Sequence, residues 1–219
     1  MNRSRKPETY FTHDRQEMLD FIPADAQRVL DVGCGEGTFG CQVKQSRNAE
    51  VWGAELDNAA AHIAGQRLDK VLSGDFGQLI SELPDGYFDC MIFNDVLEHF
   101  VDPFTILFDV KTKLSEHGVV VCSIPNIRYF YTLKRFLFQG EWKYEDAGIL
   151  DRTHLRFFTQ NSLIDMFESL EYDLICIKGI NPALSWKFKL LNAATFGFLS
   201  DTQYYQFACV AMPRTKGRP

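Results

Sequence analysis

The chain has 219 residues, of which 46% are apolar and 24% charged. Those are the proportions of an ordinary globular protein and exclude a disordered or low-complexity one. A formal net charge of −6 excludes a general nucleic-acid binder, because phosphate backbones are held mainly by Lys and Arg.

Met1–Lys6 is basic and polar with no apolar run behind it, so no secretory signal is read there and a cytoplasmic protein is expected. Six cysteines (Cys34, Cys41, Cys90, Cys122, Cys176 and Cys209) come without a CxxC pair, and several lie in strand-like runs. That is the pattern of reduced, buried thiols, neither a disulfide framework nor a zinc site.

Apolar runs at Arg28–Val32, Glu50–Glu55, Lys70–Gly74, Phe88–Asn94 and Gly118–Ile124 alternate with helical patterns at Thr38–Gln45, Asn58–Arg67, Phe76–Glu82 and Pro103–Leu114. Short apolar runs alternating with helices predict βαβ units, a parallel sheet covered on both faces and hence a doubly wound α/β layer. After Pro125 the rhythm breaks. The segment Asn126–Leu150 is aromatic and basic, with Arg128, Lys134 and Arg135 among its rings, and reads as an insertion over one end of the sheet. Thr159–Leu170 predicts a helix with Thr159 as its N-cap. Tyr172–Ile180 and Gln203–Met212 predict two last strands, separated by an amphipathic segment at Ser185–Leu199, and the tail from Pro213 is expected to fray. The longest candidate membrane stretch, Leu190–Leu199, contains Asn192 and Thr195. It is about half of the ~20 apolar residues that a bilayer crossing needs, so no transmembrane segment is expected. The Trp186–Leu191 run mixes Lys with large apolar residues, which permits peripheral contact with a membrane surface as well as packing on the sheet.

The strongest local signal is VLDVGCGEGTFG at Val29–Gly40, a buried strand running straight into a glycine turn that opens a helix. Glycines there let the backbone and its free N–H groups approach a ligand. Glu55 ends the next strand some twenty positions on, where an acid grips ribose hydroxyls, and ribose is common to NAD and S-adenosylmethionine. Asp31 separates the two, because a carboxylate beneath the turn repels a diphosphate but attracts an ammonium group.

On these residues the chain resembles the class I S-adenosylmethionine-dependent methyltransferases. VLDVGCGEGTFG looks like their first motif, with Gly33, Cys34, Gly35 and Gly37 in the turn. Val51–Glu55 looks like the second motif, followed by Leu56. Ser73–Phe76 resembles the loop in which Asp75 meets the adenine amino group and Phe76 its face, and Phe88–His99 resembles the fourth motif, with Asn94 at the cofactor. The resemblance implies S-adenosyl-L-methionine as cofactor. It also implies a Rossmann-like, mostly parallel seven-stranded sheet whose last strand is antiparallel, with a helical, aromatic insertion after strand five. One domain over 1–219 is expected: a cofactor half at 24–125, an acceptor-covering insertion at 126–158, and a C-terminal helix and strands at 159–212.

The block Leu150–Thr159 (LDRTHLRFFT), with Ile124–Asn126, resembles small bacterial members associated with sugar and cell-surface polysaccharide modification. That implies a small-molecule or glycan hydroxyl as acceptor, such as a sugar nucleotide or lipid-linked sugar. A hydroxyl must lose its proton, so a positioned base is expected. His154 is the first choice, with Asp151 orienting it, and His99 the second. His13 and His62 fall in helices expected at the surface and His117 in a polar turn. Asp95, Glu98 and His99, with His154, also form a possible set of ligands for a divalent metal such as Mg²⁺ or Mn²⁺, a reading left open beside the plain helix start. Two rivals stay in view: an NAD-dependent oxidoreductase, and a catalytically silent accessory protein of the same superfamily that binds a partner enzyme.

Overall fold

A computed structural model of the protein describes residues 15–182 and 186–214, the side chain of Lys187 excepted. His13, the basic start at 1–6, Ser185 and the tail 215–219 lie outside the described residues. Seven strands, β1 (Arg28–Val32), β2 (Glu50–Glu55), β3 (Lys70–Ser73), β4 (Phe88–Asn94), β5 (Leu114–Pro125), β6 (Tyr172–Pro182) and β7 (Tyr204–Pro213), form one sheet in the order β3-β2-β1-β4-β5-β7-β6. β1 to β5 pair in parallel, and β7 runs antiparallel to both β5 and β6. The expected α/β, Rossmann-like, seven-stranded architecture is therefore the observed one.

The near-continuous apolar runs follow from burial on both faces. Leu30, Val32, Met91, Phe93, Val120 and Cys122 enter one core, while their neighbours Val29, Cys90, Ile92, Val119 and Val121 enter the other. Side chains alternate across a strand, so a central strand between two cores is apolar at most positions, and the buried Asp31 of β1 stands out against that rule. Four of the cysteines, Cys34, Cys90, Cys122 and Cys209, are buried, and all six are free thiols.

Helices α1 (Gln16–Leu19), α2 (Thr38–Arg47), α3 (Asn58–Ala64), α4 (Phe76–Leu79), α5 (Pro103–Asp109), α6 (Phe130–Gln139), α7 (Gln160–Ser169) and α8 (Trp186–Ala194) complete the fold. Their starts are written in the sequence. Asp57 caps α3 and Asp102 caps α5, with Pro103 in its first turn. Thr159 caps α7 in a reciprocal box with Ser162. Their ends differ from expectation. α3 stops before Gly65, a poor helix former, and α4 and α5 tighten into 3₁₀ turns at Ile80–Glu82 and Val110–Lys113. The lysine that closes the second turn is tied down, its Nζ donating to the Leu83 carbonyl and to Asp85.

The chain reverses at the C-terminal edge of the parallel strands. There Asn126, fully buried, donates to the carbonyls of Asp201 and Tyr204 and accepts from the Arg128 N–H. The first two bonds anchor the insertion, which holds α6, to the start of β7, and the third turns the chain locally. Among the described residues no helix is long and apolar enough to cross a membrane. Removing the capping hydroxyl tests the local logic: Thr159→Ala should lower stability by about 1 kcal/mol, read as a shifted urea midpoint with an unchanged slope.

Candidate active site

A cavity of about 1000 Å³ opens at the C-terminal edge of β1, β2, β4 and β5, where ligands bind in open α/β sheets. Asp31, Gly33, Cys34, Gly35, Glu55, Leu56, Asp75, Phe76, Asn94, His99, Asp151 and His154 all line it. Gly37 is the exception. At φ 78° it caps α2 from beneath, and a Cβ there would meet Ala64 and Leu68 at 3.2 Å, so this glycine serves helix packing.

The turn is tight for a geometric reason. Gly33, at φ 70°, donates to the Ala54 carbonyl at 2.8 Å, and a Cβ on it would sit 2.5 Å from Val96. Glu55 closes the turn from β2, its two oxygens accepting from Gly35 N–H and Asp57 N–H at 2.8 Å each. The Cys34 thiol packs against Gly53, where an added Cβ would lie 2.6 Å from Sγ. Burial, Asp31 and Glu55 push that thiol well above its ordinary range, so Cys34 offers backbone and no nucleophile. Phe76 packs its ring edge-on against Phe93 at 5.8 Å.

Asp31 is 3% exposed, and one carboxylate oxygen has no hydrogen-bond partner among the described residues. Burial, then the nearby Glu55 charge, push its pKa up to about 7, against a lowering bond from Gly40 N–H. Both polar atoms of Asn94 are likewise buried and unpartnered. Buried polar atoms without partners are costly and rare, and these face one cavity. The cavity wall carries seven carboxylates (Asp31, Glu55, Asp57, Asp75, Asp95, Glu98 and Asp151) against one guanidinium, that of Arg15. Such a field favours a cationic ligand and opposes a diphosphate.

At the other end of the cavity the two histidines meet edge to face, ring centres 4.7 Å apart. Nδ1 of His154 lies 3.0 Å from the Ile149 carbonyl and Nδ1 of His99 lies 3.2 Å from the Thr153 carbonyl. A carbonyl only accepts, so each Nδ1 carries hydrogen, and in the neutral ring each Nε2 keeps a lone pair. Nε2 of His154 lies 3.8 Å from Oε1 of the buried Glu98. Asp151 accepts at Oδ1 from the Thr153 N–H and hydroxyl at 2.8 and 2.6 Å, while the Ile149 carbonyl meets the His154 ring at Nδ1.

One ligand atom each from Glu98, His99 and His154 lie within 4.8 Å of one another, a set able to hold a metal ion. Asp95 does not join them. It bonds Arg15, Gln206 and Ser123, because its left-handed backbone, φ 53°, belongs to a different wall. Arg15, Asn181, Tyr205 and Gln206 line the cavity without having been singled out from sequence. Arg15 stands at the start of α1 and the other three lie in β6 and β7, with no motif around them.

Solved structures with this fold include an S-adenosylmethionine-dependent methyltransferase from Archaeoglobus fulgidus, with a TM-score of 0.67 at 20% identity over 93% of this chain and 96% of that one. Another, from Mesorhizobium loti, has a TM-score of 0.62 at 17% identity over 90% and 95%. The fold is thus that of the class I, S-adenosylmethionine-dependent methyltransferases. Residues 3–177 match the model of the methyltransferase domain family, and the chain belongs to that family. Among curated relatives, ubiquinone biosynthesis O-methyltransferase of Cereibacter sphaeroides is 29% identical over 179 residues, 77% of this chain and 70% of that protein. An uncharacterized methyltransferase of Schizosaccharomyces pombe is 32% identical over 130 residues, 54% and 45% respectively.

Asp31 leaves a signature in stability. An acid held at about 7 in the fold, against 3.8 ordinarily, binds more protons folded than unfolded. Its contribution is therefore complete below pH 3.8 and is lost as pH rises to about 7. The difference in unfolding free energy between wild type and Asp31→Asn should shift towards the variant across that window, by up to about 1.4 kcal/mol per pH unit, in urea titrations at several pH values.

Proposed function

We propose that the cavity binds S-adenosyl-L-methionine and passes its methyl group to a hydroxyl oxygen. The observation that carries this reading is the unpartnered carboxylate oxygen of Asp31 in a wall of carboxylates, the complement of an ammonium group and a sulfonium. Asp31 and Asn94 hold the amino-acid end, Glu55 the ribose hydroxyls, and Asp75 and the backbone at Phe76 the adenine. Bound there, the cofactor supplies an already activated methyl on a positive sulfur.

What remains for the protein is orientation and one proton. Holding the acceptor in line behind the methyl is worth up to about 7–11 kcal/mol. As the acceptor oxygen takes the methyl group, Nε2 of His154 or His99 would take up the hydroxyl proton. Glu98, buried beside His154, stabilises the imidazolium so formed. The insertion 126–158 closes this end and shapes acceptor choice.

The relatives' name supports oxygen as the acceptor atom and lends nothing to a glycan, so the acceptor is proposed as a small hydroxylated molecule. A diphosphate cofactor is opposed by the acidic wall, and a silent accessory role by the paired Nε2 lone pairs beside the cavity. A second reading has a specific basis. Glu98, His99 and His154 together would hold a divalent ion, and one carboxylate with two imidazoles suits Mn²⁺ or Zn²⁺ better than Mg²⁺. The ion would supply Lewis acidity towards the acceptor oxygen.

Calorimetry should show S-adenosylhomocysteine binding and no NADH binding, with affinity rising as pH increases through about 7, because only the ionised Asp31 attracts the ammonium. Asp31→Asn should weaken it at least about tenfold; NADH binding in its place would sink the assignment. His154→Ala should lower kcat about 10²-fold while homocysteine-product affinity stays within about twofold. Dialysis against EDTA decides between the two readings: full activity supports the base, and loss restored by Mn²⁺ or Zn²⁺ supports the metal.

A further inference from the structure

Apolar exposure in this protein is concentrated on one side. Of 17 large apolar side chains that are exposed among the described residues, 11 fall within 131–144 and 186–198. None of the ten residues of α6 is buried, although that helix carries Phe136, Leu137 and Phe138. The two segments meet: Phe130 packs edge-on against Phe188 at 5.4 Å, and the Arg128 guanidinium sits 5.9 Å over the Phe198 ring. Soluble proteins rarely leave so much contiguous apolar surface uncovered without using it.

The charge on this face is one-sided too. Each acid of 126–150 and 186–201 is paired with an arginine: Glu141 and Glu145 with Arg135 at 3.7 and 2.7 Å, Asp146 with Arg152 at 2.7 Å, and Asp201 with Arg128 at 3.2 Å. Lys134, Lys143 and Lys189 are exposed and have no ion-pair partner among the described residues. A chain of net charge −6 thus presents unneutralised lysines beside this apolar face.

The shape selects the occupant. Phe196, at φ 53° before Gly197 at φ 82°, stands on a left-handed turn with its side chain fully exposed, and Phe198 follows it at 77% exposure. A side chain that projects from a turn finds few neighbours on a flat protein partner. Fluid acyl chains surround it, while neighbouring lysines reach up to headgroup phosphates. We propose that the face formed by α6, the residues just after it and α8 docks on an anionic phospholipid bilayer. The face runs to the cavity wall through Trp142, Phe157 and His154, with ring centres 5.5 and 6.4 Å apart in turn.

Co-sedimentation with vesicles of phosphatidylcholine, alone or with about one third phosphatidylglycerol, tests this on the whole chain. The wild type should bind the anionic vesicles, and added salt should weaken binding. Phe196→Ser with Phe198→Ser should cut the bound fraction at least about tenfold. Lys134→Gln with Lys143→Gln and Lys189→Gln should abolish the preference for anionic lipid. Both variants should bind S-adenosylhomocysteine as the wild type does, which reports an intact fold and keeps vesicle docking separate from the methyl-transfer reading. No vesicle binding by the wild type, undiminished binding by the double Phe variant, or a soluble dimer that this variant splits would each overturn the proposal.

Discussion

Electrostatics at one buried carboxylate governs the rest of this molecule. Asp31 sits under the glycine turn with a charge that its surroundings disfavour, and among the described residues one of its oxygens has no hydrogen-bond partner. A fold tolerates such a cost only where it is small against total stability or where a ligand offsets it on binding. The continuous apolar packing of β1, β4 and β5 between two cores supplies that stability. The same packing holds the backbone of the turn rigid, so the carboxylate cannot swing out to water.

The two ends of the cavity divide the chemistry. One is built from β1, β2 and β4 with their turns, and is uniformly acidic. The other gathers His99 from the 3₁₀ turn after β4 and His154 from a loop more than fifty residues on. Backbone carbonyls meet both rings at Nδ1, which orients each Nε2. Asn126 makes the second end possible, since its buried amide ties the insertion to the strand that carries Tyr205 and Gln206.

Membership of the methyltransferase domain family accounts for the sheet and the turn. The apolar side chains of α6 are left outside the core, and the rings at 196–198 protrude beside them.

Strands, helix starts and the cofactor turn were legible in the sequence because they depend on local rules: apolar runs between two buried faces, Asp, Thr and Pro at helix starts, glycines where φ is positive. The cavity residues named from the motifs of β1, β2, β3 and β4 converge because the ends of parallel strands share one edge, so position along a strand already implies position in space. Tertiary structure alone decided the rest. It turned Asp95 towards Arg15, set Nδ1 of His154 against the Ile149 carbonyl, and brought Arg15, Tyr205 and Gln206 to the wall. Those choices depend on which elements meet across long sequence separations and on a single residue's backbone angle, and no short-range pattern of residues records either.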